Sequence, residues 1–218
     1  MSAISKLPTF DSKSGELLTV VETPKGSRNK YAYNDKLGFF ELRRVLPRGM
    51  LFPYDFGFVP STIAADGDPL DVLLLLDDSA PMGCVVRARA IGVIEARQRE
   101  PRGDWIRNDR LLAVAVHAKL HADLKNIKEL NPRILDEVEA FFRDYNQMDG
   151  KEFEPLKRAG PNAAASVIHE AGSVWQEAGS LDKTPSDLSV ARRRREGARN
   201  IIRQGLTAAE GRVLNPGL

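Results

Sequence analysis

The front half of the chain is a series of short apolar runs separated by turn residues. Gly15 to Thr23 carries Leu17, Leu18, Val20 and Val21, and Lys30 to Asn34 alternates around Tyr31 and Tyr33. Phe39 to Leu46 interleaves apolar residues with Glu41, Arg43 and Arg44. Val72 to Leu76 is apolar throughout but too short for a helix, so it reads as a buried strand. Cys84 to Ile94 and Leu111 to Val116 complete the set, and Gly, Pro, Asn and Asp punctuate the runs. Several short strands without a long helix between them predict an antiparallel sheet or barrel rather than βαβ units.

The period changes in the back half. Asn131 followed by Pro132 is a cap and a first helical position. Ile134, Leu135, Val138, Phe141, Phe142 and Tyr145 then recur at helical spacing as one apolar face, and Gly150 ends the segment. A second start at Pro161 and Asn162 leads into Val167, Ile168, Ala171, Val174 and Trp175. The order, strands and then two helices, is an α+β arrangement.

Composition narrows the class. With 218 residues the chain suits one domain plus an appendage, and 42% hydrophobic residues suit a sizeable core. No apolar run approaches the ~20 residues of a membrane span, and Met1 to Phe10 lacks the apolar stretch of a signal peptide. The single cysteine, Cys84, excludes a disulfide framework and fits a cytoplasmic location. The formal charge of +2 is a sum of unlike parts. Residues 181–218 hold eight Lys/Arg and four Asp/Glu, a net +4, which leaves −2 for residues 1–180. The expected division is therefore a body, 1–180, and a basic C-terminal extension, 181–218. The body is not a nucleic-acid binder by charge. The extension, with its run Arg192 to Arg195, leaves an acidic partner, nucleic acid or a neighbouring subunit open.

The densest chemistry lies in Asp66-Gly67-Asp68-Pro69-Leu70-Asp71, where three carboxylates fall within six residues just before a buried strand. Carboxylates that close repel one another, which raises their pKa values or recruits cations. Gly67 permits unusual backbone angles and Pro69 fixes its own φ. A rigid turn presenting hard oxygen ligands suits Mg²⁺ or Mn²⁺. An EF-hand does not fit, because Asp71 and Asp77 stand where Gly and Glu are needed. His117 and His121 do not make a zinc-protease motif, because Ala118 stands in place of glutamate. Asp104 and Asp109 form a second acidic pair on an expected hairpin loop. Lys30 and Arg44 supply cations of the kind that bind phosphate. Clustered aspartates, bound cations, Lys and Arg together make a site for a phosphoanhydride.

These residues also resemble a known family. Asp66 to Asp71 is similar to the D-x-D-P-x-D signature of the family I soluble inorganic pyrophosphatases. Phe52 to Pro60 resembles the Y-P-x-x-Y-G-x-x-P stretch before it, and Glu22 to Tyr31 resembles the E-I-P-x-G-S-x-x-K-Y opening. The resemblance runs from about Gly15 to Trp175. It implies a small closed antiparallel β-barrel, OB-like, with two flanking C-terminal helices. It implies Mg²⁺-dependent hydrolysis of inorganic pyrophosphate, with Mn²⁺ or Zn²⁺ as possible substitutes, in a homo-oligomer (hexamers are common among bacterial members). By the same resemblance Asp66, Asp71, Asp104 and Asp109 bind metal and Asp68 activates the attacking water. Lys30, Arg44 and Tyr145 contact phosphate, and Glu22 sits at the site edge.

The chain also departs from that pattern. Ala32 replaces a glutamate, Phe52 and Phe56 replace tyrosines, and Trp105 replaces an acidic residue. Leu111 and Asn146 replace lysines, although Arg110 stands next to the first of these. The losses fall on phosphate-holding and outer groups, whereas all five aspartates remain. Two alternatives stay open: a hydrolase of the same fold acting on another phosphoanhydride or phosphate ester, and a catalytically weak metal- and phosphate-binding protein.

Overall fold

The computed structural model describes residues 4–180, so the expected extension 181–218 lies outside the described residues. In chain order the elements are β1 (Leu17–Thr23), β2 (Asn29–Asn34), β3 (Phe39–Val45), β4 (Asp55–Val59), β5 (Leu70–Leu75), β6 (Val85–Arg99), β7 (Ile106–Arg107), β8 (Arg110–Ala115), α1 (Pro132–Gln147), β9 (Glu152–Ala159) and α2 (Pro161–Ser180). Among the described residues no helix is long and apolar enough to cross a membrane.

The larger sheet curls into a ring. β1 pairs with β4, β4 with β5, β5 with β8, β8 with β6, and β6 returns to β1. All of these joints are antiparallel except β5–β8, which is parallel. The exception has a simple cause. Strand directions cannot alternate all the way round a ring of five strands, so at least one neighbouring pair must run the same way. The architecture is the expected OB-like α+β fold. β2 and β3 form a separate hairpin, and the far end of the long β6 carries β7 and β9.

Burial follows the pattern. β5 is covered on both faces, with Val72, Leu73, Leu74 and Leu75 all at or below 1% exposure, which is why it lacks polar alternation. β4 brings its backbone against β1 at Gly57, where a Cβ would lie 1.9 Å from the Val20 carbonyl oxygen. Only glycine fits there. α1 starts as expected: the Asn131 side chain accepts a hydrogen bond from the Arg133 N–H, with Pro132 in the first turn. Leu135, Val138 and Phe142 form its buried face, as Ala164, Ile168 and Ala171 do for α2.

β9 is not legible in the sequence, which predicts the two helices in succession. The segment Glu152–Ala159 has few apolar residues and contains Pro155. Its strand character comes from pairing with β6, and Pro155 falls at the register shift opposite Ala96.

Candidate active site

The Asp66–Asp71 turn is held by its own backbone. The Thr62 hydroxyl donates to the Val59 carbonyl at 2.6 Å and accepts the Leu70 N–H at 3.0 Å, both buried. The Ala64 N–H donates to the Asp68 carbonyl at 2.7 Å, and Gly67, at φ 96°, returns its N–H to the Ala64 carbonyl at 3.1 Å. That φ suits glycine. α2 braces the turn from beneath, where the Ala171 carbonyl accepts the Ile63 N–H at 3.0 Å. Asp66, Asp68 and Asp71 are thus presented together at the entry to β5.

Burial and crowding together raise two of the three. Asp66 is pushed up to about 7, first by burial and then by the charges of Asp71 and Asp68, against the pull of Arg110. Asp68 is also raised, by surrounding protein and by Asp71, while Arg43, Lys151 and Lys30 oppose the rise. Although Asp68 as a residue is open to solvent, its carboxyl faces this crowded corner.

The basic side comes from β2, β3 and the end of α1. Glu22, buried on β1, accepts the Lys30 ammonium at 2.9 Å and the Tyr33 N–H at 2.8 Å. Burial raises the Glu22 carboxyl, Lys30 and the Tyr33 N–H oppose that rise, and Asp71 adds to it. The Lys30 ammonium also lies 4.2 Å from the Phe56 ring centre, an arrangement with cation–π character. Arg44 stacks on Tyr145, its guanidinium carbon 4.6 Å from the ring centre, donates to the Tyr145 carbonyl at 3.2 Å and pairs with Asp149. The structure therefore brings Glu22, Lys30, Asp66, Asp68 and Asp71 into one electrostatic neighbourhood, and it joins Arg44 to Tyr145.

The second acidic pair behaves differently. Asp104 is exposed in the loop after β6. Asp109 is 7% exposed, accepts the Ala96 N–H at 3.0 Å and pairs with the Arg107 Nε at 2.6 Å. It lines a cavity of about 30 Å³ with Ile63, Leu70, Val167 and Glu170, away from Asp71. Burial raises its carboxyl against these two donors. The register explains this placement. Val72 pairs with Leu111 in the parallel β5–β8 ladder, so Arg110 comes level with Asp71. Side chains at matched positions share a face, and those one residue apart do not. Arg110 accordingly meets Asp71, with its Nη1 2.6 Å from Oδ2, and Asp109 points the other way. Asp109 is thereby directed to Arg107 and the Ala96 N–H rather than to Asp71.

Several departures from the family pattern acquire physical content. Phe52 and Phe56 are 1% and 4% exposed and pack together at 5.7 Å, so a hydroxyl at either position would enter apolar packing. Asn146 is buried and donates to the Phe142 carbonyl at 2.8 Å, closing the end of α1. Trp105 packs against the guanidinium groups of Arg97 and Arg99, at 4.5 and 4.7 Å. Leu111 is fully buried. Sequence reasoning missed the role of Arg43 near Asp68, and named Lys151 only as a partial replacement for the lysine lost at Asn146. It named Arg110 as a stand-in for the lysine absent at Leu111, but nothing local says which of two adjacent residues faces the site.

The donor set suits a hard cation. Among the described residues no three His, Cys, Asp or Glu side chains converge as a ready-made cage. Asp66, raised first by burial and then by Asp71 and Asp68, carries charge that a cation would offset.

Comparison with known proteins agrees with this geometry. Residues 19–176 match the family described as inorganic pyrophosphatase. The chain is 35% identical over 167 residues to the inorganic pyrophosphatase of Synechocystis, covering 77% of this chain and 95% of that protein. It is 34% identical over 163 residues to the inorganic pyrophosphatase of Haloferax volcanii, covering 74% of this chain and 89% of that protein. It superposes on the crystal structure of inorganic pyrophosphatase from Thermus thermophilus with a TM-score of 0.73 at 29% identity, covering 80% of this chain and 99% of that one. The chain belongs to the inorganic pyrophosphatase family.

Proposed function

We propose that this member of the family hydrolyses inorganic pyrophosphate to two orthophosphates at the Asp66–Asp71 turn. The observation that carries the reading is the crowding of Asp66, Asp68 and Asp71 opposite Lys30 and its partner Glu22, a neighbourhood of the kind a divalent ion and a polyanion would complete. Bound Mg²⁺, with Mn²⁺ or Zn²⁺ as substitutes, supplies polarisation of the phosphoryl oxygens and a more acidic water. Asp66 is the carboxylate that would hold it. By the resemblance Asp104 and Asp109 also bind metal; the exposure of the first and the Arg107 pairing of the second favour Asp66 as the principal ligand.

Asp68 accepts the proton of the attacking water at its carboxylate. Its raised pKa makes it a stronger proton acceptor than an ordinary aspartate. As oxygen bonds to one phosphorus, the bridging P–O bond breaks and the second phosphate leaves. Lys30 and Arg44 offset the charge on that leaving group, Arg44 being pre-oriented by its stack on Tyr145. Glu22 keeps Lys30 extended along the site edge. A reducing cytoplasm and a homo-oligomer, a hexamer by resemblance, complete the reading. The apolar side chains exposed on β3 (Phe39, Leu42 and Val45) support a subunit contact.

The test is phosphate release from pyrophosphate, tripolyphosphate and nucleotides, with Mg²⁺ and with chelator, for wild type and Asp68→Asn. Mg²⁺-dependent release from pyrophosphate that Asp68→Asn abolishes is the expected result. Release from nucleotides alone would move the reading to another phosphoanhydride, and no release from any of them would end it.

A further inference from the structure

Arg110 is a cation built into the acidic corner. It is only 4% exposed, and its guanidinium lies 5.0 Å from the Phe142 ring centre and 5.5 Å from that of Phe153. Arginine does not deprotonate in proteins, so this positive charge is permanent. A buried charge persists only when it is paired, and the acidic partner here is Asp71 at 2.6 Å. The Asn108 carbonyl at 3.3 Å, the Asn108 side-chain oxygen and the Asp109 carbonyl at 3.1 Å also lie within hydrogen-bond range of the same Nη1, more acceptors than its two hydrogens can serve. Nε is buried without a partner. An arginine has five donors that it can spread over several elements. This one gathers its bonds on the nitrogen that faces Asp71.

That placement bears on how many metal ions the site takes. A divalent ion on Asp71 would sit about 2.1 Å from a carboxylate oxygen. It would share that carboxylate with a guanidinium already in contact, and like charges in a partly desolvated corner repel strongly. We propose that Arg110 is a resident cation that occupies Asp71 in place of one divalent metal ion, so that the site binds fewer ions than its carboxylates would otherwise hold. This rests on the reading of the Asp66–Asp71 turn as a metal-dependent hydrolase site. It adds that Asp71 belongs to Arg110, and Asp66 to the metal.

The test counts Mn²⁺ ions bound per full-length chain at pH 8 without phosphate, by equilibrium dialysis with the free ion measured by electron paramagnetic resonance. Asp71→Asn is expected to bind as many ions as wild type. Arg110→Met is expected to gain one ion per chain, and Arg110→Met with Asp71→Asn to lose it again. Loss of an ion in Asp71→Asn alone would overturn the proposal. So would an unchanged count in Arg110→Met whose circular dichroism shows it folded. If Arg110→Met does not fold, the Asp71→Asn count decides by itself. The expected counts in a chain that releases no phosphate would support Arg110 in this role while ending the hydrolase reading.

Discussion

Asp71 and Asp109 are the same residue type, one placed within β5 and the other just before β8, two strands paired side by side, yet the fold uses them in opposite ways. Asp71 faces the acidic corner with Asp66 and Asp68, and its partner is Arg110. Asp109 faces the underside, where a backbone N–H from β6 and the Arg107 side chain hold it. In the first arrangement Arg110 matches Asp71, while Asp66 and Asp68 beside it still crowd and leave charge in need of a cation. The second satisfies a carboxylate locally and ties β6 to the segment entering β8. Charge left unbalanced is available for chemistry, whereas charge already matched contributes to stability.

The largest test of this contrast is on activity. Asp68→Asn should lower phosphate release from pyrophosphate by at least about 100-fold, the usual contribution of a positioned base. Asp109→Asn should stay within about tenfold of wild type, since the contribution assigned to Asp109 is to stability. Equal losses in the two variants would erase the distinction.

Asp109→Ala should act on stability instead. It strands the buried Ala96 N–H, at a cost of about 2 kcal/mol, and should lower Tm by roughly 6 °C in thermal denaturation. An unchanged Tm would show that the underside pair contributes nothing to the fold.

The metal-free protein offers a smaller, signed effect. Asp66 rises from an ordinary 3.8 to about 7 in the fold. Between those values the folded state holds more protons than the unfolded one, so stability from this group is present at low pH and lost as pH rises through about 7. With chelator present, wild type should therefore melt about 3–6 °C higher at pH 5 than at pH 8, relative to the same comparison in Asp66→Asn. Mg²⁺ should restore Tm most at pH 8. A parallel pH slope in the two proteins would contradict the crowding.

Smallest of all is Asp104→Asn. Its carboxylate is exposed, so stability should change by less than about 0.5 kcal/mol, and phosphate release should stay near wild type. A large loss of activity would return Asp104 to the metal site.

Much of the architecture was legible because it rests on local rules. The apolar run of β5, the cap at Asn131 and the helical stripe ending near Tyr145 are all short-range signals, and each element lies where they point. β9 was not legible, because Glu152–Ala159 pairs only through β6, more than fifty residues upstream. The parallel β5–β8 joint was hidden for a related reason, since it follows from closure of a ring and from no segment alone. Within the site, the Asp66–Asp71 turn could be read as it stands, because Gly67 and Pro69 shape it locally. Phe52 and Phe56 read only as missing hydroxyls. The structure shows what they supply instead, which is apolar packing and, for Phe56, a face for Lys30.

By itself the sequence determined the family, the α+β order and the acidic turn, all of which depend on residue type and spacing within short stretches. Only the tertiary structure decided which residue of Asn108-Asp109-Arg110 meets Asp71. Neighbouring side chains on a strand point to opposite faces, so a shift of one position exchanges a carboxylate for a guanidinium. That shift is set by the pairing of Val72 with Leu111, two residues far apart along the chain.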